Sequence, residues 1–282
     1  MARILSAAES DVGRARSENQ DAFGEFSTPA GEWLFVVADG MGGHRGGSTA
    51  SRLCVETIGR AFASGFDSAE ARLRVGFELA NTRIHEAADG DPELVGMGTT
   101  AVAVALAPDG SGALAWVGDS RAYRFRGGAL EQLTLDHSVV GEMLRSGVVS
   151  PEEAEVHPRR NELMRAIGPL ANVEAETLVL RHVSGDRFLL CTDGLWGPVP
   201  AAELAAVVGY ELPGLAVKKL IAMANERGGP DNVTAQIACV EAGATREPPA
   251  PEARNRPLPM WVIGAVVLVA LIALALLSGG FG

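Results

Sequence analysis

"VVADGMGGHRGG", residues 36–47, runs from an apolar strand into a carboxylate, Asp39, and then places five glycines in the next eight residues. Glycine weakens an ordered element unless backbone must take positive φ or something must come close. A phosphate cradle is the first explanation to test. The P-loop needs G-x-x-x-x-G-K-[ST] and the dinucleotide fingerprint G-x-G-x-x-G. Arg45 stands where the third glycine of the latter would be, and no Lys-Ser or Lys-Thr follows. The remaining explanations are a plain Asp-Gly turn and a strand that delivers Asp39 to a metal ion, with glycines opening room beside it; further carboxylates at strand ends decide between unrelated turns and a metal site.

Other carboxylates support that reading. "FVVADG" ends at Asp39, "AWVGDS" at Asp119 and "LLCTDG" at Asp193, each after an apolar strand, and Asp231 in "GGPDNVT" directly precedes one. Carboxylates converging from strand ends repel unless a cation lies between them. All donors are oxygens, with no His or Cys cluster at ligand spacing, so the ion is hard, Mg²⁺ or Mn²⁺ and not Zn²⁺. Two such ions would clamp a phosphoryl group and lower the pKa of a bridging water.

The bulk properties narrow the partners. With 24 Lys+Arg against 35 Asp+Glu, the 282-residue chain carries a net charge of −11, which argues against nucleic acid. Cys54, Cys191 and Cys239 lie in apolar runs without C-x-x-C spacing and read as buried thiols. The first twenty residues lack the apolar core of a signal peptide. Near the other end, Met260–Leu277 is 18 residues without a charge. As a helix it reaches roughly 27 Å at about 1.5 Å per residue, a single membrane span. A proline-rich linker, residues 242–259, precedes it, and Arg246, Arg254 and Arg256 place residues 1–259 on the cytoplasmic side.

Strand patterns recur at 33–39, 99–107, 112–119, 121–134, 187–193 and 233–240, in hairpin-spaced groups. Helical patterns at 48–63, 69–88 and 214–227 and a capping box at Ser150–Glu153 fall between the groups. Such grouping predicts antiparallel sheets with segregated helices, an α+β class.

The ordered motifs "RSENQD" (16–21), "DGMGGH" (39–44), "MGTT" (97–100), "GDSRAYR" (118–124), "LTLDHS" (133–138), "LMRAIG" (163–168), "TDGLW" (192–196) and "GPDNVT" (229–234) resemble the metal-dependent PPM, or PP2C-type, serine/threonine phosphatases in their bacterial form. The resemblance covers about residues 3–240. It implies a four-layer α-β-β-α sandwich of two antiparallel sheets flanked by helices, in a domain of residues 1–241; the C-terminal transmembrane helix read from the apolar run 260–277 lies outside it. It further implies Mn²⁺ or Mg²⁺ as cofactor, two ions with a weaker third site. By this likeness Asp39 bridges both ions, Gly40 gives one its carbonyl, Asp193 and Asp231 hold the other, Asp119 serves the third site and Asp21 supports the ligands from behind. Arg16 matches the guanidinium that grips the substrate phosphate. Gln20 replaces a frequent glutamate. Met41 stands where eukaryotic members have a histidine, so the leaving-group acid is not identified. His44 is a candidate for it. The implied substrates are phosphorylated proteins, a Ser/Thr kinase and its targets among them, at the cytoplasmic membrane face. Two alternatives share the fold: a tethered pseudophosphatase that binds phosphoproteins without turnover, and a phosphoesterase for small molecules. A cysteine phosphatase built on Cys54 and Arg60 is disfavoured, because "CVETIGR" lies in a helical pattern with Glu56 where phosphate would bind.

Overall fold

The computed structural model describes residues 3–64, 68–150, 153–154, 157–160 and 162–241; the linker and the apolar run 260–277 lie outside them. Among the described residues no helix is long and apolar enough to cross a membrane.

β3, Trp33–Met41, is the middle of the first sheet and shows how the layers arise. Leu34 to Ala38 are all fully buried although successive side chains point to opposite faces. Leu34, Val36 and Ala38 meet Ile58, Phe62, Leu73 and Phe77 of two helices, α1 (Gly43–Ser64) and α2 (Ala69–Gly90). Phe35 and Val37 face the other way, toward Phe188, Leu190 and Ala238 of the second sheet. A strand covered on both faces reads as an unbroken apolar run, which "LFVVA" does.

The first sheet runs β2 (Asp21–Ser27), β3, β5 (Ala101–Leu106), β6 (Ser111–Val117), β9 (Glu176–Arg181), with β4 (Gly98–Thr99) pairing β3. The second runs β1 (Ile4–Asp11), β11 (Val233–Val240), β10 (Arg187–Cys191), β7 (Arg121–Arg126), β8 (Ala129–Gln132). Every pairing is antiparallel. Gly127 and Gly128, at φ 59° and 89°, make the two-residue turn of the β7–β8 hairpin, where both positions need positive φ. Beyond the second sheet, Leu204, Val207, Leu220 and Ile221 of α5 (Ala201–Tyr210) and α6 (Pro213–Glu226) close the outer core. Two short helices, α3 (Val139–Arg145) and α4 (Asp193–Trp196), lie nearer the strand ends. The α+β architecture expected from the sequence is therefore present, with helix, sheet, sheet and helix in succession.

Two features differ from expectation, and the disfavoured cysteine phosphatase fails as expected. α1 begins at Gly43, five residues before the apolar period, so Gly43, Gly46 and Gly47 belong to its first turns. Strands β1, β2 and β9 and helices α3 and α5 carry no clear apolar period. The cysteine-phosphatase spacing lies wholly inside α1, where Cys54 is fully buried and burial pushes its thiol far up. Cys191 and Cys239 are likewise buried free thiols. The capping box stands: Ser150 N–H donates to Glu153 Oε2 at 2.8 Å and Glu153 N–H to Ser150 Oγ at 3.2 Å.

Candidate active site

One end of both sheets carries the aspartates. Asp39 sits in β3 directly opposite Asp21 at the start of β2. Asp119 follows β6 across Gly118, Asp193 opens α4 after β10, and Asp231 stands two residues before β11. Arg16 comes from the loop after β1. Asp39, Asp119, Asp193, Asp231, Arg16 and Gly40 line one cavity of about 460 Å³.

Hydroxyl residues hold this arrangement. Thr100 N–H donates to Asp39 O at 2.8 Å, Asp39 N–H to Thr100 Oγ1 at 3.2 Å, and Thr99 Oγ1–H to Asp39 O at 2.7 Å. The "GTT" run thus fixes the Asp39 peptide from both sides. Thr192 and Thr234 hydroxyls both donate to Asp21 Oδ2, at 2.9 and 2.6 Å. Trp196 Nε1–H donates to Asp119 O at 3.0 Å, with Arg121 stacked 3.5 Å over the indole. Asn232 secures the Arg16 loop: its Oδ1 accepts from Gln20 N–H at 2.8 Å, and its Nδ2 donates to Val12 O at 3.0 Å and Glu18 O at 2.9 Å. Across that loop Arg16 Nη2 donates to Asp231 Oδ2 at 2.8 Å.

The glycine run turns out to serve packing as much as the cavity. A Cβ on Gly40 would lie 2.1 Å from Gly47 O and 2.5 Å from Gln20 O. One on Gly47 would meet Gln20 Oε1 at 2.4 Å, and one on Gly46 Met97 Cβ at 2.9 Å. Glycine lets the first turns of α1 lie directly on β3 and on the start of β2. What approaches is chiefly protein.

The electrostatics are those of crowded anions. Burial first, then Asp21 and Asp193, hold the Asp39 carboxyl well above the usual carboxylate range. Burial and then Asp193 do the same for Asp119. Asp193 is raised by burial and by Asp231. Burial pushes Asp21 up to about 7 despite its two hydroxyl donors. Arg16 is raised by its hydrogen bond to Asp231. Two buried carboxylate oxygens, Asp21 Oδ1 and Asp193 Oδ1, have no hydrogen-bond partner.

This set fits a hard divalent cation. The donors are oxygens, two of them unsatisfied, and positive charge among them would bring every raised carboxyl down. Among the described residues no three or more His, Cys, Asp or Glu side chains form a ready metal cage. The sequence-predicted residues thus come together, Asp21 just behind the cavity wall. Sequence reasoning missed Thr100, Thr192, Thr234 and Asn232, although each is next to, or one position from, a singled-out residue or lies in a quoted motif. The His44 side chain lies outside the described residues.

Comparison with known proteins agrees with this geometry. The protein phosphatase 2C family model matches residues 13–231. The serine/threonine phosphatase stp of Listeria monocytogenes serovar 1/2a is 38% identical over 244 residues, covering 84% of this chain and 95% of its own. Protein phosphatase PhpP of Streptococcus pneumoniae serotype 2 is 37% identical over 233 residues, 80% of this chain and 94% of its own. Among solved structures, Mycobacterium tuberculosis PstP/Ppp superposes with a TM-score of 0.78 at 34% identity, over 86% of this chain and 100% of that one. The PstP catalytic domain in complex with two manganese ions gives 0.76 at 33% identity, again over 86% and 100%. The matched span takes in Arg16 and all five aspartates, and by that match this chain belongs to the protein phosphatase 2C family of metal-dependent protein serine/threonine phosphatases.

Proposed function

We propose that this phosphatase removes phosphate from phosphoserine and phosphothreonine in proteins using Mn²⁺ or Mg²⁺ held by Asp39, Asp193, Asp231 and the Gly40 carbonyl. Asp119 serves a weaker third position and Asp21 braces the ligands from behind. The observation that carries this is the convergence of five carboxylates from both sheets, two with orphaned oxygens, around a cavity that also holds a guanidinium. When bound, such ions polarise phosphoryl oxygens and lower the pKa of bound water.

The chain's own residues supply position and charge. Asp231 and the Asn232 amide hold Arg16 at the cavity mouth, where 57% of its side chain is exposed. Its planar fork suits bidentate contact with a phosphate. The Thr99 and Thr100 clamps keep Asp39 from turning away when neighbouring charges change. Met41 lines the same cavity and has no titratable proton, so this position does not supply the leaving-group acid. In the assay that tests the proposal, the chain releases phosphate from phosphoserine and phosphothreonine peptides with Mn²⁺ or Mg²⁺ present and is inactive in EDTA. Full activity in EDTA refutes it.

Arg16→Ala separates binding from chemistry. A hydrogen bond to a charged group contributes about 1.5–3 kcal/mol, so KM rises by roughly 10- to 100-fold while kcat falls less. Inhibition by inorganic phosphate weakens in parallel. A large kcat loss at unchanged KM shows instead that Arg16 acts in the transition state.

We further propose that the apolar run 260–277 anchors the enzyme to the cytoplasmic membrane, with the catalytic domain inside the cell. The support is in the sequence: an uncharged 18-residue run, a proline-rich linker and arginines on its N-terminal side. A tether there favours phosphoproteins at the membrane, including a Ser/Thr kinase and its targets.

A further inference from the structure

At the end of the second sheet opposite the active site, the turn between α5 and α6 presents an unusual surface. Tyr210 is 79% exposed, Leu212 65% and Leu215 58%. One helical turn beyond Leu215 stand Lys218 and Lys219, both exposed and the only lysines in the sequence. Lys219 pairs with Glu211 at 2.9 Å, and Lys218 has no hydrogen bond or ion pair among the described residues. A chain of net charge −11 thus gathers its lysines beside three exposed apolar side chains.

The place of this surface is fixed by the strands beneath it. The Tyr210 ring stands edge-on to Phe125 of β7 at 6.1 Å. Arg187, the first residue of β10, donates to Glu211 O at 2.6 Å and to Val208 O at 2.8 Å. Arg187 pairs with Cys239 near the end of β11. Leu212 and Glu241 line the same groove. The described chain therefore ends at this face, and the linker toward the apolar run starts there. Asp231 lies at the other end of β11, eight strand residues away. At about 3.3 Å per residue that is roughly 25 Å.

We propose that Tyr210, Leu212, Leu215 and the two lysines rest on the anionic lipid surface of the membrane, so that the catalytic cavity opens away from it into the cytoplasm. The proposal rests on the membrane anchor inferred above. Tyrosine and leucine suit the interface, where an apolar body meets a polar tip, and lysine ammonium groups meet lipid phosphates. The patch is small, but a tethered domain needs little affinity, because a linker of 18 residues, 242–259, holds it at high local concentration.

The test uses the full chain in nanodiscs of phosphatidylglycerol with phosphatidylcholine, or of phosphatidylcholine alone, followed by amide hydrogen exchange. Exchange across residues 208–219 slows by about fivefold or more in the anionic discs, and high salt reverses the effect. The combined substitution Tyr210→Ser, Leu212→Ser and Leu215→Ser abolishes the protection, as does Lys218→Glu, with kcat/KM on a soluble phosphopeptide unchanged. Equal exchange in both discs, or protection that survives these substitutions, overturns the docking. So does protection in detergent that grows with protein concentration, which identifies a second copy as the occupant. If the chain does not enter discs at all, the anchor is wrong. Docking is then judged by pelleting with anionic vesicles: loss of pelleting in Lys218→Glu upholds it, and no pelleting of the unaltered chain overturns it.

Discussion

Replacing Asp39 by asparagine is expected to lower kcat/KM on a phosphothreonine peptide by about 1,000-fold or more, which is roughly 4 kcal/mol of transition-state stabilisation. The same substitution is expected to leave the melting temperature in EDTA unchanged or raised. Both outcomes follow from the carboxylate cluster. Asp39 is held well above the usual carboxylate range by burial, Asp21 and Asp193, so its ionised form is destabilised by the fold. Without a cation its charge opposes folding at neutral pH, and asparagine keeps the shape while removing that charge. With a cation the same charge becomes the attraction that holds it. Phosphopeptide kinetics across a Mn²⁺ titration and thermal melts in EDTA read the two effects separately. Near-normal turnover at saturating Mn²⁺ refutes the ligand assignment. A large fall in melting temperature would mean that Asp39 serves the core instead.

Gly40→Ala is expected to destabilise the protein by about 3 kcal/mol or more, because a methyl placed 2.1 Å from Gly47 O and 2.5 Å from Gln20 O meets backbone on two sides. No side chain can rotate away to relieve it. Either α1 lifts from β3 or the backbone at Gln20 shifts, and Gln20 and Gly40 both line the cavity. Gly214→Ala is the matched control. Its Cβ meets nothing within 4 Å in the first turn of α6, and removing glycine flexibility from the unfolded chain stabilises by about 0.5–1 kcal/mol. Denaturant melts of the two variants should therefore move in opposite directions. Equal shifts would show that the close approach at Gly40 is not limiting.

The parts of this fold that were plain in the sequence are the parts that are buried. β3, β5, β6, β10 and β11 are covered on both faces, and their apolar runs announced them. β1, β2 and β9 are edge strands, and "ILSAAESD" and "DAFGEFS" mix polar and apolar residues because an edge has solvent on one side. α5 was hidden for the opposite reason: "AAELAAVVGY" is apolar nearly all round, so no stripe stands out. In the site, charged residues after apolar runs were conspicuous. The threonines and Asn232 were not, because a hydroxyl or an amide becomes informative only once its partner is known. Thr192 and Thr234 are far apart in sequence, yet both donate to one oxygen of Asp21. The glycines were conspicuous too, but their purpose was half concealed, since close helix-to-strand contact leaves the same trace as close ligand contact.

The pairing of β1 with β11 governs when this enzyme can come into being. Ile4 lies beside Val240 and Asp11 beside Val233, so the first strand made has no partner until nearly the whole catalytic domain has been synthesised. Arg16, just after β1, and Asp231, just before β11, meet only when that ladder closes. Contacts between such distant segments form slowly, typically in milliseconds to seconds, because the loop between them must be ordered first. A ribosome-bound fragment ending before residue 231 can assemble the first sheet and its helices, with Asp39 already clamped by Thr99 and Thr100. It lacks Asp231 and with it the Arg16–Asp231 contact. Phosphatase activity is thus expected only from chains translated through β11, the last strand among the described residues.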